Sequence, residues 1–432
     1  MKYPSYPDYL KINISWLEEI PSHWKIKRLR FVIHSNPVKS EVSNHDEDEL
    51  VSFVPMEAIT EKGEMTLEIE KPISDVYSGY TFFKSNDVVL AKITPCFENG
   101  KGAIAKNLTN GIGFGTTEFH VLRALEETYY CWLYYLTVCY PFRAIGTSEM
   151  LGAGGQKRIP ETFIKDFRIG IPSLNEQNQI AKFLDHKTAQ IDCLIEKKKA
   201  LIEKLNEKRI ALITQAVTKG LNPDALMKPS CVNWLGDVPA HWEVRALKFC
   251  CDFLNNRRIP LSAEERARMA RNYPYYGASG IIDEVEDYIF NEPTVLVAED
   301  GANLLSRSTP LAFEASGKYW VNNHAHILKP KEGPFAYWSN LLSIIQFEPW
   351  ITGSAQPKLT KDNLGAILLP RPPLHEQYLI DEYIQGQTKK IDPMLKTAKT
   401  TIERLTEYRT ALITAAVTGK IDVRHIKIAE EK

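Results

Sequence analysis

Residues 201–220 read LIEKLNEKRIALITQAVTKG, and residues 401–420 read TIERLTEYRTALITAAVTGK. The second copy begins 200 residues after the first, needs no gap, and matches it at twelve of twenty positions. The matches include Leu205, Glu207, Arg209 and the run Ala211, Leu212, Ile213, Thr214. An internal repeat of this quality sets the architecture before any local signal does. A shorter repeat precedes it. Residues 15–24 (SWLEEIPSHW) return as residues 233–242 (NWLGDVPAHW), now 218 residues apart. Each repeat unit therefore runs from this tryptophan element to a long helix, and the stretch between is 18 residues shorter in the second unit. The frame is duplicated, while the middles differ in length and sequence. Trp16, Trp24, Trp234 and Trp242 belong to that frame, packing a domain onto a helix base or meeting a partner.

Each unit enters its helix after a proline brake, at Pro172 and at Pro372-Pro373. Apolar residues then recur at heptad spacing: Leu184, Ile191, Leu205 and Leu212 in the first helix, Ile384, Ile391, Leu405 and Leu412 in the second. Such a seam buries against another helix. The simplest partner for each seam is the other, as an antiparallel pair within the chain, with homodimerisation through one helix as the alternative. Ser173 and Glu176 have the spacing of a capping box, which Pro373 and Glu376 lack. Asp392-Pro393 is expected to cap a new helix or kink the old one. A straight helix over 393–417 would be about 37 Å long.

The middles read as α+β. Residues 51–55, 81–83, 87–93 and 118–122 have the β-branched and aromatic content of strands, followed by a helix over 126–140 and a last strand over 167–171. The second middle repeats the plan, with a turn at 274–280, strands at 294–298 and 325–328, a helix over 332–345 and a last strand over 366–369. Gly-rich loops follow each helix, at 146–156 and 353–356, with Gln156 and Gln356 in register.

Bulk properties narrow the class. A chain of 432 residues is long enough for two to four domains. Hydrophobic content of 44% and charged content of 25% are globular values. No apolar run approaches the ~20 residues of a membrane helix, and the start MKYPSYPDYL has no basic flank before an apolar core. The seven cysteines are scattered without a CxxC pair, the pattern of reduced thiols in a cytoplasm. A net charge of −1 argues against a protein that grips DNA by its phosphates alone. Cys96 reads as a buried small residue.

The doubled helix, with two unlike domains between frame elements, resembles the specificity subunit of type I restriction-modification systems. The resemblance covers about residues 13–420. It is supported by ITPCFENGK (93–101) and by YGASGII (276–282), AEDGAN (298–303) and WVNNHAH (320–326). It implies an α+β fold: two target-recognition domains with twisted, partly antiparallel sheets, joined by two long antiparallel helices as a coiled coil in a pseudo-two-fold internal repeat. The expected divisions are a frame element (1–24), a first target-recognition domain (25–172), the first helix (173–220), a linker with the repeated frame element (221–242), a second target-recognition domain (243–372), the second helix (373–420) and a tail (421–432). The resemblance further implies a cytoplasmic, non-catalytic reader of double-stranded DNA, each domain reading one half of a split site and the helix pair fixing the gap. Its partners would be two methyltransferase subunits and the restriction-translocase subunits. S-adenosylmethionine, ATP and magnesium would belong to those partners, with no cofactor in this chain.

The residues agree with a chain that does no chemistry of its own. There is no GxxxxGK[ST], no NPPY-type tetrad, and GIGFG (111–115) lacks a following helix. Those absences weigh against a self-contained restriction or methylating enzyme, and the large unlike inserts weigh against a coiled-coil protein adaptor. Candidate DNA contacts in the first domain are Lys92, Thr94, Asn99, Lys101, Thr116 and Thr117, polar residues on turns beside strands. In the second they are Tyr276, Ser279, Arg307, Asn322, Asn323, His324 and His326. Asn pairs with adenine through two hydrogen bonds. Glu299, Asp300, His324 and His326 leave three readings open: a metal site, contact with bases or phosphates, or internal hydrogen bonding.

Overall fold

The computed structural model describes residues 3–153, 155–353 and 356–426. Parts of both Gly-rich loops (Gly154, Ser354, Ala355) and of the tail (427–432) lie outside the described residues. Contacts divide the chain into two units, Met1–Lys198 with Thr400–Lys432, and Lys199–Lys399. Each holds one insert, the start of one long helix and the end of the other.

The two inserts share one topology despite their unlike sequences. In the first, an antiparallel sheet runs in the order Ile33–Ser35, Phe119–Ala124, Val88–Ala91, Gly102–Ile104. In the second, the order is Cys251–Phe253, Ala325–Pro330, Thr294–Ala298, Ala312–Ala315. The central strands VVLA (88–91) and TVLVA (294–298) are buried at every position, because both faces are covered. Val88 and Leu90 pack toward Trp132, Leu133 and Leu136, while Val89 packs with Phe83, Phe119 and Val121. Val295 and Val297 likewise join Trp338 and Leu341, while Leu296 joins Phe290 and Tyr319. A second sheet in each insert contains one parallel pair, Leu50–Val54 with Ile112–Gly115 and Tyr273–Gly277 with Lys318–Val321.

Three expectations change. The turn expected at 274–280 is a hairpin, Tyr273–Gly277 with Gly280–Val285, because its tyrosines suit a pleated half-buried surface. The helix expected over 126–140 is two, Tyr130–Val138 and Tyr140–Ser148, broken at an extended Cys139, with Pro141 in the first turn of the second, where its missing N–H is tolerated. The second takes in residues 146–148, where a loop was expected. Cys96 is partly exposed; Cys131, Cys139, Cys250 and Cys251 are buried.

Each insert is closed by a two-stranded antiparallel ladder, Lys25–Arg28 with Arg168–Ile171 and Glu243–Ala246 with Leu368–Arg371. The ladder brings the repeated His-Trp pair to the start of the long helix. Trp24 Nε1 donates to Glu176 Oε1 at 3.1 Å, and His23 Nε2 lies 3.0 Å from Glu176 Oε2. Trp242 Nε1 donates to Glu376 at 2.9 Å, and His241 Nε2 lies 2.6 Å from the same carboxylate. Glu176 N–H does donate to Ser173 Oγ at 3.3 Å. Its carboxylate, however, serves the tryptophan and histidine, so only half of the expected capping box forms.

The first long helix is Leu174–Lys219 and the second Leu374–Val417. The second runs through Pro393 without ending, so the expected helix over 393–417 is corrected to 44 residues, about 66 Å. Pro393 and Lys389, whose carbonyl loses its donor, are both exposed, so water can satisfy that carbonyl. Along the seams Leu184, Ile191, Leu205, Ile384, Ile391 and Leu412 are buried, and Leu212 and Leu405 are half-buried. In the first unit Ile180, Leu184, Ile191 and Ile195 share a core with Leu412, Ile413, Ala416 and Val417. In the second unit Ile213, Ala216 and Val217 share one with Ile380 and Ile384. The start of each helix thus meets the end of the other, as an antiparallel pair requires. The ion pairs obey the repeat: Asp192 with Arg409 at 3.0 Å, and Asp392 with Arg209 at 3.0 Å.

Candidate nucleic-acid interface

In both domains the central buried strand ends at the same three-loop junction. In the first, Lys92 N–H donates to Glu118 O (2.9 Å), and Ile159 N–H donates to Lys92 O (2.8 Å). Thr94 joins in through its hydroxyl, which donates to Gly155 O at 2.8 Å and accepts from Lys157 N–H at 2.9 Å. In the second domain Glu299 N–H donates to His324 O (2.9 Å), Leu359 N–H to Glu299 O (2.7 Å) and Gly301 N–H to Pro357 O (3.1 Å). Residues 92–101, 116–118 and 155–158 therefore correspond to residues 299–311, 322–324 and 356–358.

Beneath each junction lies the same pair, a buried histidine and a half-buried asparagine. His120 Nε2 meets Ile159 O at 3.0 Å, and its Nδ1 lies 3.4 Å from Asn36. His326 Nε2 meets Leu359 O at 2.7 Å, and its Nδ1 lies 2.8 Å from Asn255. Each asparagine also accepts a strand N–H, from Val121 and from Ile327. Burial pushes both imidazoles toward the neutral form. His326, fully buried with both nitrogens engaged, thus takes the internal-bonding reading. Among the described residues no group of three or more His, Cys, Asp or Glu side chains is placed to hold a metal ion.

The junctions differ in what they display. In the first, Arg158 grips Glu118 through three contacts of 2.8–3.1 Å and holds its carboxyl below the usual range. Thr116 closes a tight turn by accepting from Glu118 N–H at 3.2 Å, leaving Thr117 exposed. Asn99 is exposed. Lys101 turns back to Met56 O at 3.3 Å. In the second junction, burial pushes Glu299 up, but the Arg258 guanidinium and the Lys358 ammonium outweigh it and hold the carboxyl down. Asn322 is buried and closes the turn by accepting from His324 N–H at 2.8 Å, leaving Asn323 exposed. His324 is exposed and bonded to Asp300 at 2.8 Å.

Other sequence candidates lie elsewhere. Tyr276 stacks on Phe313 at 5.9 Å and meets Tyr319 edge-on. Ser279 is exposed in the 277–280 hairpin. Arg307 points into its own domain, donating to Ser343 O and Ile345 O at 2.6 Å each. The sequence reading missed Lys157, Arg158, Arg258 and Lys358. The register of Gln156 with Gln356, each followed within two residues by a base, was the signal that marked two of these positions. Gly113 and Gly115 of GIGFG lie in a buried strand. A Cβ at Gly115 would fall 2.5 Å from Val54 O, so these glycines serve packing and leave no room for a ligand loop.

Comparisons agree with the duplicated plan. Residues 21–204 and 239–404 each match the family model of the type I restriction modification DNA specificity domain. The type I restriction enzyme EcoAI specificity subunit of Escherichia coli is 42% identical over 164 residues, 38% of this chain and 27% of that protein. The EcoEI specificity subunit of the same organism is 40% identical over 165 residues, again 38% and 27%. The match thus spans about a quarter of these relatives' length. Among solved structures, one from work on complex assembly and conformational transition of the type I R-M system has a TM-score of 0.71 at 17% identity. It covers 93% of this chain and 99% of that one. The HsdS subunit from Thermoanaerobacter tengcongensis has a TM-score of 0.53 at 16% identity, covering 93% and 98%. These likenesses speak for the fold alone. With both frames matched over most of their length, the chain belongs to the type I restriction modification DNA specificity domain family.

Proposed function

We propose that this chain is the DNA-reading, non-catalytic subunit of a type I restriction-modification complex, each domain reading one half of a split target through its three-loop junction. One observation carries the reading. A single duplicated scaffold, down to the His–Asn pair, carries unlike residues at matching positions: Lys92, Thr94, Thr117 and Glu118 in one domain, Glu299, Gly301, Asn323 and His324 in the other. A frame held constant under variable loops suits two unlike half-sites. Base edges are told apart by polar side chains of this kind, while phosphate contacts only set position.

In this reading the helix pair sets the gap and the duplicated frames dock two methyltransferase subunits, with the restriction subunits joining them in the cytoplasm. S-adenosylmethionine, ATP and magnesium are bound by those partners. No helix among the described residues is long and apolar enough to cross a membrane. Footprinting of the assembled complex on a methylated-site fragment tests the proposal. Two short protected blocks separated by an unprotected gap are expected. A single continuous block, or methyl transfer by this chain alone, would overturn it.

A further inference from the structure

Resting on that reading, we infer that Arg143 and Arg307 are positioning residues that lock the first loop of each junction to a helix of its own domain and so govern half-site discrimination. The loop concerned connects a central strand to the edge strand beside it, residues 92–101 in one domain and 299–311 in the other. In the first domain the arginine sits on the helix Tyr140–Ser148 and reaches into the loop. Its Nη1 donates to Phe97 O at 2.9 Å and its Nη2 to Gly100 O at 3.3 Å, with the guanidinium 4.7 Å from the Phe97 ring centroid. Arg143 is 8% exposed, and among the described residues its guanidinium meets carbonyl oxygens and no carboxylate. Its Nε has no partner. A buried cation without a carboxylate is costly, which argues that the loop carbonyls are what it is kept for.

In the second domain the polarity is reversed. Arg307 sits on the loop, at a left-handed φ of 49°, and reaches the end of the helix Phe335–Ser343. It donates to Ser343 O, a carbonyl the helix C-terminus leaves unpaired, and to Ile345 O just beyond the helix. Each first loop is therefore tied to a helix of its own domain by an arginine, from opposite sides and with no shared residue, although the helices differ: Phe335–Ser343 packs on its central strand as Tyr130–Val138 does, and Arg143 lies on the helix after that. A tie reached by two different routes points to a need common to both loops. The first loop has particular need of one. It carries Asn99 and Lys101 around Gly100, which has a φ of +86°, and base discrimination depends on side chains held to within about 0.5 Å.

The test is genome-wide mapping of methylated adenines in cells carrying the complete complex, with Arg143→Lys or Arg307→Met in this chain. Each variant is expected to raise methylation at sites mismatched in one half at least tenfold relative to matched sites. The affected half differs between the two variants, and the other half keeps its consensus. A role in stability alone lowers methylation everywhere with both halves of the consensus intact, and that result overturns the inference. Arg307 is partly exposed, so Arg307→Met decides the matter if Arg143→Lys fails to assemble. If the unaltered chain yields no two-part consensus, the reading on which the inference rests falls first.

Discussion

Replacing Glu176 by alanine should cost far more than the same change at Glu376, although the two occupy equivalent positions. The Glu176 carboxylate is 4% exposed and receives Tyr6 Oη at 2.7 Å, Trp24 Nε1 at 3.1 Å and the His23 ring at 3.0 Å. The Glu376 carboxylate is 25% exposed and accepts hydrogen bonds from Trp242 and His241, with the exposed His375 ring 3.9 Å away. A hydrogen bond to a charged group contributes about 1.5–3 kcal/mol, and deleting the acceptor strands buried donors. Tyr6 and Trp24 are each 3% exposed, so Glu176→Ala leaves two donors without water. Allowing for the relief of the carboxylate's own desolvation, the loss is about 3–5 kcal/mol for Glu176→Ala and about 1–3 kcal/mol for Glu376→Ala. Native-state hydrogen exchange reads each unit separately. Protection in peptides around residues 17–28 and 168–184 should fall by about a hundredfold to a few thousandfold in Glu176→Ala. Peptides 235–246 and 368–384 should lose about tenfold to a hundredfold in Glu376→Ala, at tenfold per ~1.4 kcal/mol. Equal losses, or a larger loss at Glu376, would refute the argument that burial of the clamp decides its contribution.

Two further outcomes follow from the fold. Pro393→Ala restores a donor to Lys389 O within a helix that already runs straight through, so it should stabilise the second unit by about 1–3 kcal/mol in exchange or denaturant measurements; destabilisation would mean that the proline is needed there. The neutral buried His120 and His326 should make stability fall with acid. Burial depresses both folded pKa values, so as pH drops below the unfolded value of about 6.5 the unfolded chain takes up the protons first. Each unit should lose up to about 1.4 kcal/mol per pH unit until its histidine's folded pKa is reached. The carboxylates facing the two rings, Glu118 and Glu161 on one side and Glu299 on the other, are held below their usual range and so stay ionised through this window. His120→Gln should flatten the dependence in the first unit only.

Much of this architecture was legible because duplication is a long-range signal. The two offsets separated frame from insert, and the heptads named most of the seam. Local rules misled where tertiary contacts outbid them. Glu176 has a capping-box spacing, yet its carboxylate is drawn away by a tryptophan and a histidine that sequence places over 150 residues distant. Pro393 carries a helix-breaking signal, but one lost hydrogen bond on an exposed face cannot break a helix packed along its other side. The candidate interface was half legible. Threonine and asparagine turns beside strands drew notice, and the structure places them at matching junctions. Arg307 and His326 look like ligand residues in a string of letters; only the fold shows that their polar groups are spent on carbonyls of residues more than thirty positions away. Arg158 and Lys358 gave a weaker signal, since an isolated base in a Gly-rich loop resembles ordinary surface.

The account stands most directly on a cassette exchange. Residues 25–172 of this chain, which include all three loops of the first junction, are replaced by the corresponding segment of another family member, and methylated adenines are mapped across the host genome. The account predicts a new sequence in one half of the target, with the other half and the gap length unchanged. A change in both halves, or a new gap with the old halves retained, would contradict it.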